Sequence, residues 1–402
     1  MYLSLSWRNI WRNKKRTLIA AASVFFAVIT AIIMRSAQHG SYAYMIDSSA
    51  KLYSGYLQIQ GQGYWENRSM DHSINPSEKD YGFIKTTPHV TSVTPRLEGF
   101  ALVSYGPATK VAQVIGTDPK LEMQMTGLEN KLVKGRFLDS ESDGVLVAEG
   151  LATMLKLQIG DSLVLFGQGY HGQVAAAIYP VIGFVKMPFQ ELNNGIVFLN
   201  LTTAQMFFQA ADRITSIAVM IENPTYLDDT IKHLKQLDNY AIMRWDEMMP
   251  DLKQNIQLDN ASGIIMLIIL YIVITFGVFG TVMMMVSERY KEFGILVSVG
   301  MRKWRLMIVT TIESIFVAFI GVIAGMIASF PVVYYLHLHP IRFSGEGTQM
   351  FDSLGIEPIF NFSTDPGIFI TQAFVVLIIA LGAAIYPLLF IRKLKPVEAL
   401  HH

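Results

Sequence analysis

Apolar residues dominate four long segments of the chain, at 17–34, 261–287, 306–336 and 367–391. Glu313 is the only charged residue within them. A helix crosses the hydrocarbon core of a bilayer with roughly 17 to 25 mostly apolar residues. The pattern therefore predicts four transmembrane helices.

The region between the first two spans, residues 38–260, has a different pattern. Short apolar runs bounded by Gly, Asp and Pro predict strands at 55–60, 109–115, 144–147, 162–166, 176–185, 195–199 and 215–221. Helical spacing occurs at 149–157, at 203–211 with Thr202 as a candidate cap, and at 226–237. We therefore predict a membrane α-helical protein with a large α+β domain of about 220 residues, enough for two subdomains.

The segments 38–50 and 246–260 join this domain to the first and second spans. Neither is strongly interrupted by Gly or Pro. They fit helical stalks that extend the spans beyond the bilayer, and they fit ordinary connectors equally well.

Basic residues are distributed unevenly between the two sides of the predicted membrane. The outer loop 337–366 holds only Arg342. The other side holds Arg8, Arg12, Lys14, Lys15, Arg16, Arg289, Lys291, Arg302, Lys303, Arg305, Arg392, Lys393 and Lys395. The positive-inside rule then predicts that both termini are cytoplasmic and that 38–260 is extracytoplasmic. A cleaved signal peptide is the alternative for the first span, although its apolar stretch is long. Arg35, at the outer end of that span, is expected to reach the lipid headgroups.

Composition narrows the possible functions. The chain is 51% hydrophobic and 16% charged, as expected for a membrane protein, and Lys plus Arg equal Asp plus Glu at 32 each. That balance gives no reason to expect nucleic acid as a partner. There is no Cys, and no G-x-x-x-x-G-K-[ST] phosphate loop occurs. His337 and His339 are too few ligands for a metal. His401 and His402 resemble an expression tag and are excluded from the functional interpretation. No catalytic, cofactor or metal site is predicted.

The loop 287–305 alternates charged and apolar residues at helical spacing. Phe293, Ile295 and Leu296 are predicted to lie in the membrane interface. The charged side chains are predicted to face water or a partner: Glu288, Arg289, Lys291 and Glu292. An interfacial helix and a docking element explain this pattern equally well.

Two features inside the spans indicate helix contacts. Glu313 is costly in a membrane unless paired, and a bond to a neighbouring helix is favoured over a direct functional role. Gly321 and Gly325 have G-x-x-x-G spacing, and Gly277 and Gly280 also allow close approach of helices.

The loop has a counterpart in a known family. Glu288-Arg289, the run 292–296 and 300–302 resemble the loop after the second span in permease subunits of the ABC transporter superfamily that includes MacB, FtsX and the Lol permeases. The segments 7–17, 135–137, 155–161, 386–387 and 396–400, together with Ala152 and Glu313, resemble the same permeases. The resemblance covers nearly the whole chain.

This resemblance implies a transporter half with a coupling helix at 287–305 that docks on a separate ATPase subunit. The implied coupling residues are Glu288, Arg289, Glu292, Phe293, Gly294, Ile295, Leu296, Gly300 and Met301. ATP and Mg²⁺ would be bound by the partner ATPase. A second copy or a homologous permease would complete a dimer that works by mechanotransmission.

The cargo is suggested by the segment 55–64, which resembles lipoprotein-releasing permeases. The expectation is extraction of lipoproteins from the inner membrane and transfer to a periplasmic carrier. A MacB-like exporter of peptides or small molecules is an alternative, although MacB-like proteins fuse the ATPase to their own N-terminus. An FtsX-like signalling scaffold is another, although such chains usually have a smaller outer domain.

Overall fold

The computed structural model describes residues 2–12, 14–139, 143–187, 190–342 and 359–393. Predictions for Lys395, for 396–400 and for His401 and His402 lie outside these residues. The chain divides into two compact units. The membrane unit contains the described residues of 2–43, 255–342 and 359–393, and the inter-span domain contains those of 44–254.

Four helical segments are long and apolar enough to cross a bilayer, which confirms the four predicted spans. They are α2 (Lys14–Ser49), α11 (Pro250–Glu288), α13 (Lys303–Leu338), and α14 (Pro366–Ala383) continued by α15 (Ile385–Lys393). A shorter helix, α1 (Tyr2–Arg12), packs on α13, where the Ser6 hydroxyl donates to the Val309 carbonyl at 3.1 Å. α12 (Tyr290–Ser298) lies between α11 and α13 in the chain, and a short pair of strands, β11 (Ile341–Arg342) and β12 (Ile359–Phe360), lies between α13 and α14.

Small residues bring α13 against α2. A Cβ on Gly321 would lie 2.7 Å from the Val24 Cβ, and one on Gly325 would lie 2.8 Å from the Val28 Cβ. The G-x-x-x-G prediction is therefore confirmed. Gly277 and Gly280 make no such contact within the described residues of the chain, because a Cβ on either meets nothing within 4 Å. Their contact with another helix stays a prediction.

The inter-span domain contains ten strands and eight short helices among its described residues. The strands are β1 (Leu57–Gly61), β2 (Val90–Tyr105), β3 (Ala108–Thr117), β4 (Leu132–Gly135), β5 (Val145–Ala148), β6 (Ser162–Gln168), β7 (Val174–Val185), β8 (Ile196–Asn200), β9 (Ser216–Ile221) and β10 (Tyr240–Arg244). The helices are α3 (Tyr64–Asn67), α4 (Glu78–Thr86), α5 (Pro119–Thr126), α6 (Glu149–Leu155), α7 (Gln190–Asn193), α8 (Leu201–Phe207), α9 (Leu227–Leu234) and α10 (Trp245–Met248). This confirms the α+β class.

The long strand β2 belongs to two halves of the domain. Its residues 90–96 pair with β9, which continues the sheet to β1 and β10. Its residues 101–104 pair with β6, and the ladder β2-β3-β8-β5-β7-β6 returns to β2 as a closed ring. Among the described residues of the domain, three apolar clusters result: one whose residues line the ring, one around β1 and β9, and one around β5, β8 and the segment 128–138. The two halves of the sheet therefore share this strand.

All seven predicted strands occur, and the helices predicted at 149–157, 203–211 and 226–237 correspond to α6, α8 and α9. Thr202 does not cap α8, because the helix begins at Leu201 and its N-cap residue is Asn200. β2, β4 and β10 had no predicted counterpart. β2 was not predicted because Pro95 and Gly99 interrupt its apolar pattern.

A buried ion pair joins β2 to α5. Arg96 donates through Nε and Nη2 to the two carboxylate oxygens of Glu122, at 3.0 and 2.6 Å, and the Thr117 hydroxyl also donates to Glu122. The side chains of Arg96 and Glu122 are 1% and 2% exposed. Two charges so deeply buried stabilise the domain only as a pair.

Glu122→Ala should lower the free energy of unfolding of the inter-span domain by about 3–5 kcal/mol, because it leaves a buried guanidinium without its carboxylate. The matched control is Asp139→Ala, which removes the partner of Arg136 in an exposed pair and should cost less than about 1 kcal/mol. Hydrogen–deuterium exchange of the β2 and α5 amides, in the full chain in detergent, measures both. Equal protection in the two variants would contradict a stabilising role for the pair.

Candidate functional site

The candidate site is α12 with its flanking turns, within the loop 287–305. Arg289 alone separates α12 from α11, and residues 299–302 separate it from α13. The turn depends on Gly300, whose φ of 105° is open to glycine and strained for other residues. The Met301 N–H donates to the Leu296 carbonyl at 3.0 Å and closes the end of the helix. The observed helix α12 is therefore shorter than the predicted segment 287–305, because the turn at Gly300 ends it.

Arg289 points into the protein. Its side chain is 8% exposed, and its Nη1 donates to Oε2 of Glu313, itself 7% exposed. Its Nε lies 3.3 Å from Glu292 Oε2, and its guanidinium stands 5.1 Å from the centre of the Phe293 ring. The prediction that Arg289 faces water or a partner is wrong, because the carboxylate inside the third span requires a cation.

The Glu313 carboxylate forms an ion pair with a neighbouring segment, the structural role that the sequence favoured. One carboxylate oxygen accepts from Arg289, while Oε1 is buried and has no hydrogen-bond partner among the described residues. A carboxylate at this depth with one satisfied oxygen depends strongly on that single cation.

Phe293 and Gly294 are also buried. Phe293 packs in one apolar cluster with Val286 of α11, Leu306 of α13 and Ile391 of α15. The predicted position of Phe293 in the lipid interface is therefore wrong. The exposed apolar residues of this segment are Ile295, Leu296 and Val299, at 47%, 37% and 84%.

A second polar cluster, the clasp, joins α2 to α11 at the opposite end of the membrane unit. The Tyr42 hydroxyl donates to Asp259 Oδ2 at 2.6 Å and accepts from Gln38 Nε2 at 2.7 Å. Arg35 Nη1 donates to Gln38 Oε1 and to Asn260 Oδ1. Arg35 thus binds the clasp and does not extend to the lipid headgroups. The sequence carried no signal for the clasp beyond Gln38 and Tyr42, which are one helical turn apart.

Within the inter-span domain, hydrogen bonds hold the ends of α2 and α11. The Tyr56 hydroxyl donates to Asp47 Oδ1 at 2.7 Å, and burial together with this bond raises the pKa of Tyr56. Lys253 Nζ lies 3.0 Å from Asp246 Oδ2, and Arg244 Nε lies 3.0 Å from Asp246 Oδ1. Burial would raise the pKa of Asp246, but the bonds from Arg244 and Lys253 outweigh it and hold that pKa below its ordinary value.

The described ranges contain no group of three or more His, Asp or Glu that could hold a metal ion. His337 and His339 use their Nδ1 atoms on separate carbonyls, those of Phe362 at 2.6 Å and Tyr335 at 3.2 Å. The site therefore consists of ion pairs and packing contacts that connect helices.

Protein-family models match two parts of the chain. Residues 17–237 match the MacB-like periplasmic core domain, and residues 264–396 match the FtsX-like permease C-terminal domain. The first match covers more than half of the 402 residues. The candidate site lies within the second.

Curated relatives include lipoprotein-releasing and macrolide-export proteins. The lipoprotein-releasing system transmembrane protein LolC of Neisseria meningitidis is 20% identical, with 97% of each chain covered. LolC of Xylella fastidiosa is 24% identical, with 79% of each chain covered. The macrolide export ATP-binding/permease protein MacB of Bartonella quintana is 25% identical over 77% of this chain and 48% of its own. The solved periplasmic region of MacB from Actinobacillus actinomycetemcomitans is 18% identical, covers 49% of this chain and 92% of its own, and has a TM-score of 0.35.

Arg289→Leu should destabilise the membrane unit by about 3 kcal/mol, because it leaves the Glu313 carboxylate buried and unpaired. Adding Glu313→Gln should restore part of that loss, since a neutral amide costs less to bury. Lys291→Leu, which removes an exposed cation from the same helix, is the control. Thermal unfolding in detergent measures all variants, and additive effects of the two substitutions would argue against direct coupling.

Tyr42→Phe should loosen the clasp, because it removes one hydrogen-bond donor to Asp259 and one acceptor from Gln38. The chain has no Cys, so spin labels at Ala43→Cys and Gln257→Cys report the separation of α2 and α11. The distance distribution should broaden. Ser41→Ala removes a buried hydroxyl that has no partner among the described residues and should leave the distribution narrow. A narrow distribution in Tyr42→Phe would rule out the clasp as a constraint.

Proposed function

Because the chain belongs to the family of ABC transporter permeases that joins a MacB-like periplasmic core domain to an FtsX-like C-terminal domain, we propose that it is the membrane subunit of a lipoprotein-releasing transporter. Its membership confirms the resemblance inferred from the loop 287–305. In this proposal the energy for release comes from ATP and Mg²⁺ on a separate ATPase subunit, and residues 1–402 contain no phosphate loop.

The observation that carries the proposal is the position of α12 among three spans. Arg289 connects it to α13 through Glu313, and Phe293 packs on α11, α13 and α15. A force applied to α12 therefore moves the helix ends around it together. Such a segment is suited to receive movement from a docked ATPase.

The ATPase docks on the exposed apolar residues of this segment: Ile295, Leu296 and Val299. An exposed apolar patch of this kind marks a protein interface, and these residues do not contribute to the cluster around Phe293. Glu292, which is 44% exposed, lies between the buried pair and the docking surface.

Movement then passes to the inter-span domain through α2 and α11. Both are continuous helices whose terminal residues, 44–49 and 250–254, belong to that domain. Asp47 and Lys253 bind Tyr56 and Asp246 within it. ATP-driven motion of α12 thus rearranges the inter-span domain without passage of solute through a channel.

The transporter is a dimer in the inner membrane, completed by a second copy or a homologous permease, with both termini cytoplasmic and the inter-span domain in the periplasm. Lipoproteins are its cargo, and a periplasmic carrier receives them. The extent of the similarity supports this choice, since LolC of Neisseria meningitidis matches over 97% of both chains. MacB relatives are equally similar in identity, so export of peptides or small molecules is the second candidate, and an FtsX-like signalling scaffold is the third.

Purification of the chain from its native membrane in mild detergent, followed by mass spectrometry, should recover an ATPase with a phosphate loop and acylated proteins. Leu296→Asp should reduce the recovered ATPase at least about tenfold, because a desolvated carboxylate costs more than the 1.4 kcal/mol of a tenfold change. Lys291→Asp places the same group at another exposed position of α12 and should retain the ATPase.

The co-purified proteins distinguish the candidates. A periplasmic adaptor without acylated proteins would favour the exporter, and a cell-wall hydrolase would favour the scaffold. Recovery of no ATPase with the unmodified chain would overturn all three.

A further inference from the structure

An apolar groove of about 380 Å³ runs between α13 and α15 at the end of the membrane unit that holds α12. It is lined by Trp304, Met307, Ile308, Thr311, Ile312 and Leu388. The Thr311 hydroxyl donates to the Met307 carbonyl within its own helix, so the groove presents carbon surface. Its volume lies within the range of small-molecule sites, roughly 300–1,000 Å³.

Basic side chains neighbour two of the residues that line this groove. The guanidinium of Arg305 lies 5.7 Å from the centre of the Trp304 ring. Lys303 Nζ donates to the Arg392 carbonyl at 3.4 Å and holds the end of α15 beside α13. Arg392 follows Leu388 by one helical turn, so it lies on the groove side of α15. Arg302, Arg305, Arg392 and Lys393 are exposed.

We propose that this groove binds an anionic phospholipid of the surrounding bilayer. One acyl chain occupies the groove, and the phosphate lies between Arg305 and Arg392. Trp304, 49% exposed, lies at the boundary between acyl chain and headgroup, the level at which tryptophan is enriched in membrane proteins. Charge complementarity selects the headgroup, since basic pockets between transmembrane helices favour anionic lipids.

The position of the groove gives the lipid a consequence for α12. Leu388 lies one turn before Ile391, which packs against Phe293, and Met307 belongs both to the groove and to the margin of that cluster. A bound lipid therefore supports the wall against which α12 packs. Lipid binding in this groove requires neither the proposed cargo nor an ATPase.

Quenching of Trp304 by brominated phospholipids tests the proposal in the purified full chain in detergent micelles. The chain has five Trp, so the Trp304 signal is the difference between the unmodified chain and Trp304→Phe. Brominated phosphatidylglycerol should quench that signal at a mole fraction about fivefold lower than brominated phosphatidylcholine, the preference expected of a basic headgroup site.

Arg305→Gln combined with Arg392→Gln should remove the preference and leave the weak quenching by phosphatidylcholine. Arg342→Gln is the control, because it removes an exposed cation beyond the other end of α13. This variant should keep the preference for phosphatidylglycerol. Ile308→Phe, which fills part of the groove without adding a tryptophan, should reduce quenching by both lipids, with the thermal midpoint confirming that the variant is folded.

Two results would overturn the proposal. Equal quenching by the two lipids in the unmodified chain would show that only nonspecific annular lipid reaches Trp304. Relief of phosphatidylglycerol quenching by millimolar inorganic phosphate would show that the basic residues bind a free anion and that the groove contributes nothing.

Discussion

The ion pair between Arg289 and Glu313 constrains the membrane unit more than any other contact of the candidate site. A carboxylate inside a span is costly without a partner, and here one guanidinium provides the partner from the residue between α11 and α12. The same guanidinium also contacts Glu292 and Phe293. α12 cannot leave α13 without exposing or neutralising a buried charge. The chain therefore keeps α12 attached while its outer surface remains available to a partner.

That attachment has a counterpart at the other end of the spans. α11 is a continuous helix of 39 residues, about 58 Å long at 1.5 Å per residue. Arg289 follows one end, and the clasp of Asp259 with Tyr42 lies near the other. Between them, Gly321 and Gly325 bring α13 against α2. Since α2, α11 and α13 are held together at separate levels, displacement of one at α12 is shared by the others. These cross-connections between helices support the proposed mechanical transmission.

Sequence patterns predicted what depends on local hydrophobicity and missed what depends on distant partners. The four spans and seven strands follow from apolar runs that need no knowledge of their neighbours. β2 escaped prediction because Arg96 and Glu98, like Pro95 and Gly99, interrupt its apolar pattern. The two charges are compensated by residues distant in the chain, Glu122 for Arg96 and Arg68 for Glu98. Arg289 was misplaced for the same reason, because its carboxylate partner is 24 residues away. The clasp likewise joins residues more than 200 positions apart.

The family motif in the loop 287–305 contains residues of two different physical kinds. Arg289, Phe293 and Gly294 are buried and hold α12 against the spans, whereas Ile295 and Leu296 are exposed. Gly300 and Met301 form the turn that ends the helix and sets where α13 begins. A resemblance gives one role to all of these positions, since all belong to one motif. Their burial separates a set that holds α12 against the spans from a set that is accessible to a partner. Substitutions in the first set are expected to weaken the fold of the membrane unit, and substitutions in the second to weaken docking alone.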